Sequence, residues 1–151
     1  MNTTTTARLA GLVAIVAGLL LVVAGATTWT MVRSQLLAEN ITVAEDAAAF
    51  GGQPVAGPLT AYFQADIISH HALDISGGKT YAELDREDPV RETMMNASFL
   101  RSSLFTSVIA FGVAAFAAGL GVLFVLTGAA LRALGSAPAT APPRVDAPAL
   151  E

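Results

Sequence analysis

The chain has 151 residues, 54% of them hydrophobic and 13% charged, with a formal net charge of -4 and no cysteine. That composition is too apolar for a small soluble domain and the length too short for a polytopic carrier, while the missing thiols exclude disulfides, CxxC redox chemistry and thiolate metal sites. Between Thr30 and Ser103 acidic residues outnumber basic ones ten to five, which disfavours nucleic acid and anionic lipid headgroups as partners of that stretch.

The first element after a short amino terminus (residues 1–8) is an uncharged apolar run, Leu9 to Trp29. At the helical rise its 21 residues cover about 32 Å, enough for a hydrocarbon core of roughly 30 Å, so it reads as a transmembrane helix. Ala24-Gly25-Ala26 has the small-x-small form of a signal-peptide cleavage site, but the run exceeds a normal signal core and ends in an interfacial Trp29, which favours a retained anchor. Thr6 is a good N-cap, and the helix is expected to continue past the span to about Ala38, where Asn40 stops it. Gly11, Gly18 and Gly25 recur every seven residues along it.

Residues 30–103 read as a loop of short helices. Thr42-Val43-Ala44-Glu45 has the form of a capping box opening a short helix that Gly51-Gly52 closes. Gly57-Pro58 then starts a firmer helix in which Leu59, Tyr62, Phe63, Ile67 and Ile68 recur at helical spacing until Gly77-Gly78. Its apolar face, carried by Leu59, Tyr62, Phe63 and Ile67, needs a partner, and we expect it to pack on the protruding stems of the long helices as a small cap. Thr80-Tyr81-Ala82-Glu83 is a second capping box. Asp88-Pro89 sets an N-cap and a proline at the first helical position, with Glu87 and Arg91 spaced as an i, i+4 pair.

From Pro89 the helix is expected to run unbroken to about Leu134 and to contain the second span, Leu104 to Leu131. Gly112 with Gly119, and Gly121 with Gly128, repeat the seven-residue interval, so that small residues let backbones approach and dispersion drive association in lipid. We expect Gly112 and Gly119 to meet the glycines of the first span, leaving Gly121 and Gly128 for a partner. Residues 132–151, rich in Pro and Ala, read as a disordered tail.

Chemistry-bearing residues are few. Asp66, His70 and Asp74 at i, i+4, i+8, with His71 beside them, form a weak candidate metal site, since adjacent histidines on a helix point about 100° apart and converge poorly on one ion. The spans contain no His, Asn or Gln, the side chains that mark ion paths and proton relays.

The stretches ITVAEDAAAFGGQPVAGPLTAYFQADII, GGKTYAEL and ASFLRSSLFTSVIAFGV resemble a family of uncharacterised two-span membrane proteins from actinobacteria, over roughly Gln35 to Leu131. Members often carry the label aromatic ring-opening dioxygenase. That activity needs an enclosed metal and substrate, which two adjacent histidines on one helix do not offer, so the label is not adopted here.

The expectation is therefore an all-α membrane protein: two transmembrane helices in a hairpin, a small helical extracytoplasmic cap and a disordered tail. Arg8 and Arg132 flank the spans on the side of the termini, and both termini are taken as cytoplasmic at the plasma membrane. The function expected is a structural or accessory subunit that associates with itself or with a larger membrane complex in the lipid bilayer. It needs no cofactor, small-molecule substrate or nucleic acid. The alternative is a metal-dependent enzyme using Asp66, His70 and His71.

Overall fold

A computed structural model describes residues 3–136. Three α-helices and one short 3-10 turn follow in the order α1 (Thr3–Ala38), α2 (Pro58–Ile75), the turn Tyr81–Glu83, and α3 (Arg91–Leu134). Among the described residues there is no strand beyond an isolated bridge between Thr42 and Pro54. Both α1 and α3 are long and apolar enough to cross a membrane. Residues 137–151, most of the segment expected to be a disordered tail, lie outside the described residues, while Arg132 to Leu134 still belong to α3.

Helix α1 begins at Thr3, three residues before the expected cap, and ends at Ala38. Asn40 then takes a left-handed conformation (φ 52°), which its short polar side chain tolerates better than most. Helix α1 runs antiparallel to α3, as the facing pairs Gly11 with Gly128, Gly18 with Gly121, and Trp29 with Phe111 establish. The 44 residues of α3 cover about 66 Å, roughly twice a hydrocarbon core, so part of α3 extends well beyond its uncharged run.

Residues 42–52 do not form the short helix their capping-box pattern suggests. The chain is extended at the two ends of this segment and turns back between them: Val43 N–H donates to the Gln53 carbonyl at 2.9 Å, Gly52 N–H to the Val43 carbonyl at 2.9 Å, and Val55 N–H to the Ile41 carbonyl at 2.8 Å, while Ala47 N–H donates to the Ala44 carbonyl at 3.0 Å in a turn. Extended backbone turns Val43 and Val55 inward, where they are 1% and 0% exposed, and a helix would have given up that burial. The Ala44 N–H that a helical turn would have engaged is instead accepted by Oε1 of Gln64 on α2, at 2.9 Å.

At the start of α2, the Thr60 hydroxyl accepts from the amides of Ala56 and Gly57, and Pro58 holds the first helical position. Its end is a Schellman turn, with Gly78 N–H donating to the Leu73 carbonyl at 2.7 Å and both Gly77 and Gly78 at positive φ. The Thr80–Glu83 box also forms, but it closes only a single 3-10 turn: Thr80 N–H donates to Glu83 Oε2 at 2.8 Å and Glu83 N–H to the Thr80 carbonyl at 3.0 Å. Helix α3 is regular from Arg91, two residues after the expected proline start. Asp88 shapes the turn before it, its carboxylate accepting from Val90 N–H at 2.8 Å, and among the described residues no side chain caps the helix itself.

Two cores result. The larger joins Leu36 of α1, Val43 and Val55 of the extended loop, Ala61 and Ala65 of α2, and Leu104 and Phe111 of α3. The smaller, at the distal end, gathers Ala72, Leu84 and Met94.

Candidate functional site

Backbones approach closely on the seam between α1 and α3. A Cβ placed on Gly11 would stand 2.6 Å from the Gly128 carbonyl oxygen, one on Gly18 2.5 Å from the Gly121 oxygen, and one on Gly25 2.6 Å from the Ala114 oxygen. No side chain fits at such distances, so the glycine Cα hydrogens face carbonyl oxygens across the seam, a recurrent weak contact between closely packed helices. The approach is reciprocal, since Gly121 and Gly128 face the Gly18 and Gly11 oxygens at 2.5 Å each.

This arrangement reverses the expected assignment of the two stripes. Gly121 and Gly128 meet α1, whereas Gly112 and Gly119 have nothing within 4 Å of a Cβ position. The reason is register. Three glycines spaced by seven on α1 need three small partners spaced by seven, and Gly128, Gly121 and Ala114 supply them, with Ser107 one heptad further on. The other stripe is interrupted by Phe105 after two glycines. The sequence carries this distinction in its third heptad, where Ala114 continues one stripe and Phe105 breaks the other.

Helix α2 also turns a different face to the stem than its large apolar residues suggest. Ala61, Ala65 and Ala72 are buried, while Leu59 and Tyr62 are 60% and 44% exposed and Phe63 and Ile67 are only partly covered. Alanines on the facing stripe let α2 lie close against α3, where bulkier side chains would hold it off. Phe63 is covered from the loop side by Phe50, with ring centroids 5.4 Å apart. Three arginines fasten the assembly. Arg8 Nε donates to the Gly135 carbonyl at 2.8 Å, tying the beginning of α1 to the end of α3. Arg33 Nη1 donates to the Ala56 carbonyl at 2.9 Å, fixing the entry of α2 against α1. Arg91 donates to the Tyr81 and Leu84 carbonyls and lies 4.1 Å from the Tyr81 ring centroid. Its expected ion pair with Glu87 is not among those formed by the described residues.

The four candidate metal ligands do not converge. His70 stands 3.6 Å from Asp66 on the exposed face of α2, while His71 turns to the loop and meets Asp46 at 2.6 Å. No group of three or more His, Cys, Asp or Glu among the described residues has the arrangement of a metal site.

The His71 hydrogen bond, foremost among the causes, holds the Asp46 carboxyl below its ordinary value of 3.8. A lowered folded-state pKa means the tie contributes above the ordinary value and is lost as pH falls through the folded one. In His71→Ala the Asp46 titration followed by NMR should move up toward 3.8. An unmoved midpoint would show that the contact is not made in solution.

Comparison of the chain with protein-family models, with curated proteins and with solved structures gives no match.

Proposed function

We propose that this chain is a small integral membrane protein of structural or accessory type, a two-span hairpin carrying a helical extracytoplasmic cap, which associates through the outward face of α3 with itself or with a larger membrane complex. The observation that carries the reading is the second small-residue stripe. Gly112, Ala115 and Gly119 lie exposed inside the uncharged run of α3, and the first and last have open space where a side chain would be. In lipid such a stripe gains nothing from burial as such. It gains from the close backbone approach of another helix.

Gly119→Leu is expected to leave the thermal stability of the monomer unchanged while removing it from the assembly isolated in mild detergent. Positions 119 and 121 stand about 200° apart around the helix, so a substitution at one leaves the other face intact. If Gly119→Leu copurifies with the same partners as wild type, the outward stripe is only composition and the accessory reading loses its support.

The orientation has its own test, helped by the absence of native cysteines. With both termini cytoplasmic at the plasma membrane, Lys79→Cys is expected to react with an impermeant thiol reagent in intact cells and Thr5→Cys only after lysis. Labelling in the opposite pattern would invert the topology.

A further inference from the structure

The cap distributes its charge unevenly, and the uncharged part lies nearest the spans. Between Asp46 and Asp66 there are 19 consecutive residues without a charge, whereas Asp66, Asp74, Glu83, Asp85, Glu87, Asp88 and Glu92 follow within the next stretch. The fold places these two parts at different heights along α3. Tyr62 meets Phe105 with ring centroids 5.9 Å apart, whereas Ala72, ten residues later, packs with Met94. Helix α2 therefore rises antiparallel to α3, away from the apolar run. Its entry is fixed at the level of Arg33, the first charged residue after the first span, through the Ala56 carbonyl.

Leu59 and Tyr62 thus stand at the low end of the cap, beside the point where both long helices become apolar. They are the two large apolar residues of α2's first turns left most exposed, at 60% and 44%. Helical side chains lean toward the N-terminus of their helix, which for α2 is the direction of the spans. A leucine and a tyrosine at that height, one helical turn below Asp66, the first carboxylate of α2, suit the boundary between headgroups and acyl chains, where amphipathic rings keep the hydroxyl wet and the ring dry.

We propose that the uncharged low end of the cap, through Leu59 and Tyr62, is seated in the headgroup boundary of the bilayer, so that the cap rests on the membrane with its acidic end facing water. The inference depends on the membrane reading above and assigns a lipid-contact surface outside the two spans. It also accounts for the exposure of Leu59, and of the part of Tyr62 that Phe105 leaves uncovered, which a free-standing cap would leave in water.

The test uses the full chain in vesicles of phosphatidylcholine brominated near the headgroup end of the acyl chains. Trp29 is the single native tryptophan and reports on the span. In a Trp29→Phe background, Leu59→Trp is expected to lose most of its emission to the bromines, while Ile75→Trp at the far end of α2 keeps its emission. If native Trp29 is quenched and Leu59→Trp is not, the proposal fails and the membrane reading stands, whether Leu59→Trp emits as if in water or as if covered by another protein. If Trp29 itself is unquenched, both fail together.

Discussion

Gly18→Leu is expected to force α1 and α3 apart. The direction in which its side chain must leave the helix is occupied at 2.5 Å by the Gly121 carbonyl oxygen and at 2.9 Å by Val125, and the first of these belongs to backbone held in a regular helix. A flexible side chain would swing aside. A helix backbone cannot, so the seam must open along its length and lose the dispersion contacts between the two helices. Overpacking of this kind costs about 1–3 kcal/mol where the surroundings can adjust, and two rigid helices adjust poorly. Thermal unfolding in detergent should show the loss in Gly18→Leu and Gly121→Leu alike, and the double variant should cost less than the sum because both act on one contact. A wild-type melting temperature for either would mean that the seam does not exist as described.

That expectation exposes how far the sequence could be read. The two long helices, the stop at Asn40, the proline start of α2 and its double-glycine end were legible because each depends on local backbone preference, which neighbours in sequence determine. The choice between two glycine stripes was harder to read, because both have the same period and differ only in what faces them. Register between α1 and α3 decides it, and register belongs to the pair.

The misread capping box at Thr42 has a related cause. Thr42 and Glu45 satisfy the local pattern, and Val43, Ala47 and Phe50 recur at helical spacing behind them, but the alternation of Ile41 and Val43 also suits an extended chain, whose buried Val43 enters the core beside Val55. In α2 the large apolar residues are not the buried ones. The stem selects the face that comes closest, and that face is alanine. The candidate metal cluster was weak for a reason already visible in the helix repeat, and the structure adds the partner that the sequence could not, since Asp46 lies 25 residues from His71 along the chain.

Phe111→Ala should show that cap and seam share one support. Phe111 is 1% exposed, belongs to the core that joins α1, the extended loop and α2, and meets the Trp29 ring edge-on with centroids 4.7 Å apart. Its position along α3 lies where the glycine seam gives way to the larger side chains of the stem, so its removal leaves a void bordered by both. Truncating a buried phenylalanine costs about 3–5 kcal/mol in water-soluble cores. Part of that figure is transfer from water, which a residue near the lipid boundary of the proposed membrane protein would not fully contribute, so the expected loss is near the lower limit, about 3 kcal/mol. Phe63→Ala should cost less, because Phe63 is only half buried under Phe50. The informative readout is a pair of measurements on one variant. Protease resistance of residues 39–90 should fall together with the thermal stability of the α1–α3 seam. If Phe111→Ala leaves the cap resistant while the seam weakens, the cap is held by α2 and α3 alone, and the common core does not couple them.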